Sequence, residues 1–353
     1  MTHNVLSSKV TVGLDLGDTA SRVYAVDAAG ECLAEATVAT TPAALAQYFS
    51  TERGWRVVLE VGTHSPWVSR QLEQLGHEVI VANPSAVYGT RRRRKRNDRL
   101  DAEFLARQGR ADPRLLHPIR HRSPTAQEHL ELLRARNQVV RARTQMINHV
   151  RGAVNAQGAR LTKCSAEAFA HRAEAELPEA LGPAVRPLLE LITTLTQQIR
   201  QYDAAVGRVV RTTYPTAQRL QQPAGVGPLT ALAFVLLVED PTRFARSRDV
   251  GAYFGLVPRL DESSASRPQL RISKAGDGMG RRLLVSAAHY ILGPFGPPCD
   301  LRHHREAIAS RGGKNAKKRA VVAVARKLAV LLHHLWVTEQ PYDPQFGRKA
   351  KAA

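Results

Sequence analysis

Four carboxylates stand out by their surroundings: Asp15 in VGLDLGDT, Glu60 in VVLEVGTHS, and Asp98 with Asp101 in RKRNDRLDAEF. Strand alternation puts Thr11, Gly13 and Asp15 on one face, opposite Val10, Val12 and Leu14. Glu60 closes the apolar run Val57, Val58, Leu59, where an unpaired charge would be costly. Asp98 and Asp101 are three apart and share a helix face, with Leu100 and Phe104 expected to turn towards a sheet. Carboxylate oxygens suit hard cations such as Mg²⁺ or Mn²⁺, and two such ions about 4 Å apart serve in-line displacement at phosphorus. The basic run Arg91, Arg92, Arg93, Arg94, Lys95 and Arg96 abuts the last pair and is suited to holding a polyanion. Taken alone, Asp98 and Asp101 also read as a helix cap and a surface aspartate.

A second constellation lies in DVGAYFGLVPRLDESSASRPQLRISKAGDGMGRRLLVSAAHY, where Ser263, Ser264 and Ser266 precede Arg271, Lys274, Arg281 and Arg282. A serine flanked by cations can attack phosphorus, because guanidinium groups stabilise charge on the transferring oxygens. The same residues also read as a polar loop whose serines cap a helix and whose cations bind DNA. Upstream, Gly225-Val226-Gly227 resembles a helix-hairpin-helix turn, which presents backbone N–H groups to phosphate, and equally resembles an ordinary helix connection.

The elements that must position these groups are legible in outline. Residues 10–17, 21–27 and 31–39 read as consecutive strands, followed by a helix over 41–51, a strand over 56–62, a helix over 65–76 and a strand over 77–83. This order implies a mixed sheet with helices packed on it and resembles the ribonuclease H-like superfamily. Helices are expected over 98–109, 125–158 and 183–211. Leu188, Leu189, Leu191, Ile192, Leu195, Ile199 and Tyr202 mark an apolar stripe on the last, suited to an antiparallel hairpin with its predecessor or to a coiled coil with a partner chain. The fold class is thus α/β plus α, and the domains are expected at 1–112, 113–212 and 213–340, with a disordered tail over 341–353.

The 353 residues carry 51 Lys and Arg against 31 Asp and Glu, a net charge of +20, which makes nucleic acid the first partner to consider. No uninterrupted apolar stretch is read as long enough to span a bilayer, and the N-terminus lacks the apolar segment of a signal peptide; a cytoplasmic protein is expected. Cys32, Cys164 and Cys299 lie far apart and are expected to be buried free thiols rather than a disulfide framework or zinc site. The adjacent pairs His303, His304 and His333, His334 make poor joint ligands, because helix neighbours point about 100° apart.

Together GLDLG, LEVGTHSPWV, NDRLDAEFLA, PAGVGPLTA and GLVP followed by SS and RISKAGD resemble the IS110 family of transposases, also called DEDD transposases or bridge-RNA-guided recombinases. The resemblance runs from about Val10 to Leu335. It implies a RuvC-like N-terminal domain whose metal-binding acids match Asp15, Glu60, Asp98 and Asp101, a partly coiled-coil middle and a C-terminal transposase domain. It further implies a serine nucleophile bonded covalently to DNA, a site shared between subunits of a dimer of dimers, and guidance by a structured bridge RNA. Ser263 occupies the nucleophile's position with Ser264 its neighbour; the family's usual following glycine is replaced here by Ser264. GLDLGDT also matches the first phosphate loop of the sugar-kinase, Hsp70 and actin ATPases, but their second phosphate loop and adenosine motif are missing after Asn83. Two other readings stand beside the recombinase: a Holliday-junction resolvase or structure-specific nuclease using the four acids alone, and a catalytically dead nucleic-acid-binding protein.

Overall fold

The computed structural model describes residues 10–84, 97–261, 270–310, 312 and 315–345. The chain divides into two compact units, Met1–Arg122 and Ser123–Ala353.

The first unit is built on a five-stranded sheet in the order β3-β2-β1-β4-β5, formed by β1 (Thr11–Asp15), β2 (Ala20–Val26), β3 (Cys32–Ala39), β4 (Arg56–Glu60) and β5 (Glu78–Ala82). The β1, β2 and β3 strands meander antiparallel, whereas β4 and β5 join β1 in parallel. Parallel pairing requires crossovers, and α1 (Pro42–Phe49) and α2 (Ser65–Gln74) lie in them. Alternation sorts the side chains: Val12, Leu14, Val57 and Leu59 join Leu45, Phe49, Val68 and Leu72 in one core, on the face covered by α1 and α2. The opposite face receives α3 (Asp98–Ala111), through Val58, Ile80, Ala82 and Leu105 and through Tyr24, Val26, Ala102 and Ala106. The three layers are those of the ribonuclease H-like fold expected from the element order.

The face of α3 meets the sequence expectation at Phe104, which packs against Val58, Ile80 and Ala82, but its innermost residues are others. Ala102, Leu105, Ala106 and Gly109 are its buried residues, while Leu100 and Phe104 are half-buried. Small residues win the inner positions because the helix comes very close to the strands: a Cβ on Gly13 would lie 1.9 Å from the Ala102 carbonyl oxygen.

The second unit is helical. Two long helices, α4 (Pro124–Ala156) and α6 (Gly182–Thr213), lie against each other, with α5 (Phe169–Glu176) beside them. Arg136 binds Asp203 through Nε and Nη2 at 2.6 and 3.1 Å, and seven residues further along α4 the buried Arg143 donates to Thr196 Oγ1 at 3.1 Å. One helix therefore descends as the other ascends, an intrachain hairpin that buries part of the stripe. Val185, Leu189, Ile192 and Ile199 are buried along α6, whereas Leu191 is exposed.

The remaining elements are α7 (Pro215–Arg219), α8 (Pro228–Val238), the short α9 (Val250–Tyr253), α10 (Gly278–Leu292), α11 (Asp300–Ala309) and α12 (Ala316–Thr338). The apolar α8 is buried on every side from Thr230 to Val238, as an all-round hydrophobic helix must be. It is the centre of a core joining the Ala126–Leu133 end of α4, the Val206–Val210 end of α6 and residues of α10 and α12.

Two expectations need correction. Among the described residues one helix, Ala316–Thr338, is long and apolar enough to cross a membrane, although no such stretch was expected. Val324, Ala325, Leu328, Ala329, Leu332 and Leu335 instead bury its apolar face in the core. Within the same helix His333 is buried, Nε2–H donating to the Pro241 carbonyl and Nδ1 accepting from the Ser247 hydroxyl, both at 2.9 Å. Of the three thiols only Cys299 is buried; Cys32 is exposed, because it opens the outermost strand of the sheet, and Cys164 is half-buried.

Candidate active site

The register of the sheet brings the first two acids together. Leu14 pairs with Leu59 across the parallel β1 and β4, so the next residues, Asp15 and Glu60, end neighbouring strands. Such strands run about 4.8 Å apart. Both acids belong to the face that α3 covers: Thr11 and Gly13 of the Asp15 set and Val58 of the Glu60 set meet that helix.

The direction of α3 brings the second pair to the same edge. A Cβ on Gly109 would lie 2.3 Å from Val58 Cγ2 and 3.6 Å from Thr11 Cγ2, whereas Gly13 meets Ala102 and Ala106. Moving up β1 from Thr11 to Gly13 is therefore moving back along α3. The next turn back, above the Asp15 end of the strand, holds Asp98 and Asp101. Their position is fixed by a cap: Asn97, not Asp98, is the N-cap, its side chain accepting from Arg99 N at 3.0 Å. Asp98 is exposed, and Asp15, Glu60 and Asp101 are half-buried.

Neighbouring cations are committed to holding this turn. Arg99 clamps Glu35 on β3 with Nε and Nη2, reaches Glu103 at 3.5 Å, and stands 5.6 Å from the Tyr24 ring centroid. Its hydrogen bonds hold the Glu35 carboxyl below the usual carboxylate range. Arg107 completes the set, bound to Glu103 at 2.9 Å and 6.0 Å from the same ring.

Sequence reasoning missed a further link at this edge. Trp67 Nε1–H donates to His64 Nδ1 at 3.2 Å, which leaves the proton on Nε2 to face Asp18 Oδ1, also at 3.2 Å. Asp18 follows Asp15 by three residues and His64 follows Glu60 by four, so the contact ties together the two loops leaving the acid-bearing strands. The signal was present in LEVGTHSPWV, but the partner of His64 is 46 residues away in sequence.

All four donors are carboxylates, a set that fits Mg²⁺ or Mn²⁺ in type. Among the described residues, however, no three of His, Cys, Asp and Glu are drawn close enough to make a ready metal cage.

The serines and the basic run fall differently. Ser263, Ser264 and Ser266, like Arg91, Arg92, Arg93, Arg94, Lys95 and Arg96, lie outside the described residues. The chain on either side of the serines is held as a neck: Ser273 N donates to the Val257 carbonyl at 2.8 Å, Arg259 N to that of Arg271 at 2.9 Å, and Pro258 bridges Ile272. Below it the backbone turns through left-handed Gly255, Lys274 and Gly276, and a Cβ on Gly276 would lie 1.9 Å from the Tyr253 carbonyl oxygen. Arg271, Lys274 and Arg282 are exposed around this neck. Arg281 is half-buried and donates to the Phe254 carbonyl at 3.2 Å, and Arg282 reaches Asn137 at 2.9 Å. Gly225 of the hairpin motif is explained by packing, its missing Cβ making room 2.8 Å from the Ala287 carbonyl oxygen. Gly227 is exposed at the start of α8.

A ribonuclease H-like sheet with acids at its strand ends, followed by a helical unit, defines a class of enzymes that act on nucleic-acid strands. Family comparison narrows it. Residues 12–157 match a family model described as a transposase of the IS110 DEDD type, and residues 217–299 match the IS116/IS110/IS902 transposase family. The chain is 30% identical to the transposase for insertion sequence element IS1111A of Coxiella burnetii, over 94% of this chain and 90% of that one. It is 26% identical to a probable family 20 transposase of Pseudomonas aeruginosa, covering 94% and 98%, and 28% identical to the IS1328 transposase of Yersinia enterocolitica, covering 80% and 83%. The chain belongs to the IS110 family of insertion-sequence transposases, and DNA is its substrate.

Proposed function

We propose that this transposase cuts and rejoins DNA at a composite site, in which Asp15, Glu60, Asp98 and Asp101 position a phosphodiester for attack by Ser263. The observation that carries the reading is the gathering of two strand-end acids and two helix-turn acids at one edge of the first unit. Those four would hold Mg²⁺ or Mn²⁺, which when bound neutralises charge on the phosphoryl oxygens. The Ser263 hydroxyl attacks phosphorus, a phosphoserine ester forms, and the serine proton leaves with the displaced nucleotide hydroxyl. A hydroxyl from another DNA end reverses the step and frees the serine, so one phosphodiester is exchanged for another without an external energy source. Arg271, Lys274, Arg281 and Arg282, together with the run from Arg91 to Arg96, hold the DNA backbone around the reacting strand.

Likeness to the family supports three further parts of the reading. The acids of one subunit serve the serine of another, the active form is a dimer of dimers, and a structured bridge RNA from the element selects the DNA. Excision of a plasmid-borne element tests the chemistry. Asp15→Asn and Ser263→Ala should each abolish product while the protein still binds DNA. Full turnover in both Ser263→Ala and Ser264→Ala would instead support a nuclease working with the acids alone. Sequencing the RNA that co-purifies tests the guide: a discrete element-derived species is expected, and random cellular fragments would count against it.

A further inference from the structure

The far end of the helical hairpin carries a basic cavity that the strand-exchange chemistry does not use. About 470 Å³ in volume, it is lined by Arg151 and Asn155 of α4 and by Gly158, Ala159, Arg160, Leu161 and Lys163 of the loop that follows. Three side chains in that lining are cationic and none is acidic. The helix supplying Arg151 ends there in a left-handed Gly158, with Ala159 N returning to the Val154 carbonyl at 3.3 Å. Glu176 of α5 holds the departing loop by accepting from Thr162 N at 2.6 Å. The cavity wall is therefore fixed at both sides of the turn.

Arg151 is oriented before any ligand arrives. Its guanidinium stands 5.2 Å from the ring centroid of Phe169, which is 1% exposed, and its Nε is buried with no hydrogen-bond partner. A buried donor without an acceptor is costly, and an anion entering the cavity would supply one. Neutralising the end of α4 does not account for the arrangement, because a helix C-terminus carries only about half a negative charge against three full positive ones. The tip is also far from the serine neck's core: from Leu133, in the core around α8, to Arg151 is 18 residues of helix, roughly 27 Å.

We propose that this cavity is a second nucleic-acid contact, which takes a backbone phosphate of a polynucleotide at the tip of the α4–α6 hairpin. Arg151 supplies a planar, pre-set fork, and Arg160 and Lys163, both exposed, close on the same phosphate or its neighbour. The proposal rests on the transposase reading only for the identity of the polyanion; the shared chemistry is the phosphodiester, from duplex DNA or from structured RNA.

The test measures binding of the full-length Asp15→Asn protein to two labelled probes, a 30-base-pair DNA duplex and an RNA hairpin, between 50 and 200 mM salt. Arg160→Ala with Lys163→Ala in the same chain should weaken one probe roughly tenfold at low salt. It should also lower the logarithmic salt slope by about two contacts, near 1.8 for duplex DNA. Whichever probe responds identifies the source. Arg151→Gln should weaken the same probe, and unchanged thermal unfolding of the double variant separates lost contact from lost fold. A matched pair, Arg141→Ala with Arg208→Ala, alters exposed arginines outside the cavity. An equal loss in that pair would overturn the proposal, since the binding would then be diffuse. A change in oligomeric state with both probes bound as before would overturn it too, by showing that the cavity takes an acidic side chain of another copy. Failure of the Asp15→Asn protein to bind either probe would remove the transposase reading as well, whereas normal binding by the cavity variant would remove this inference alone.

Discussion

The acid edge and the serine neck are built in opposite ways. Asp15 and Glu60 end paired strands, and Asp98 and Asp101 sit on a capped helix packed against them, so three regular elements place four acidic positions. The neck that leads to Ser263 rests on three backbone hydrogen bonds, two of them forming the Pro258–Ile272 bridge, and on three left-handed residues. Under the proposed chemistry the contrast is one between acids placed by regular elements and a serine that follows a stem of irregular backbone. In both places a glycine makes the approach possible, Gly13 under Ala102 and Gly276 under Tyr253.

The comparison can be broken most severely at the acids. Asp15→Asn or Glu60→Gln should lower strand cleavage by about 10³-fold or more, with urea unfolding of the first unit nearly unchanged. A large loss of stability would mean that these residues hold the fold rather than the reaction. Gly276→Ala comes next, combining a left-handed φ of 78° with contact at 1.9 Å from a backbone oxygen. Its cost should be about 2–4 kcal/mol in denaturant unfolding, felt in the second unit. Gly13→Ala meets the Ala102 oxygen without the strained φ and should cost about 1–3 kcal/mol. Because it lifts α3 away from β1, it should also slow cleavage disproportionately to the stability lost, and raise the Mg²⁺ concentration needed for half-maximal rate.

Smaller effects sharpen the same picture. Arg99→Gln removes the clamp on Glu35, an exposed pair that solvent screens. Its expected signature is faster amide exchange in the first turn of α3 with little change in midpoint. The clamp is also sensitive to acid. Glu35 has a depressed pKa in the folded protein, so its contribution is present above the ordinary glutamate value near about 4.3 and is lost as pH falls through the lower folded value. Protection of that turn, relative to the intrinsic exchange rate at each pH, should therefore fall as pH drops through the lowered Glu35 value in the wild type and not in Arg99→Gln.

Much of this was legible in the chain. Alternation in β1 and β4 already put Asp15 and Glu60 on definable faces, and the three-residue spacing of Asp98 and Asp101 put them on one side of a helix. That both pairs lie towards one edge was not legible, because it depends on the parallel register of Leu14 with Leu59 and on the direction and close approach of α3. The sheet-facing side of α3 was read in part: Phe104 does pack against Val58 and Ile80, whereas the closest approach, at Gly13, is made by the small residues Ala102 and Ala106. His64 with Asp18, and Arg151 over Phe169, escaped notice because each joins residues distant in sequence or ordinary in type. The antiparallel sense of the α4 and α6 hairpin rests on the Arg136–Asp203 and Arg143–Thr196 contacts, which join residues 67 and 53 apart in sequence.

The most direct test of the central claim is to trap the covalent intermediate. A labelled DNA strand carrying the element's end is incubated with wild-type, Ser263→Ala, Ser264→Ala and Asp15→Asn proteins, denatured, and separated by mass, and the attached peptide is sequenced. The expected result is an adduct on Ser263 in the wild type and in Ser264→Ala, and none in Ser263→Ala or Asp15→Asn. Cleaved DNA without any adduct, or an adduct that survives in both serine variants, would contradict the composite site.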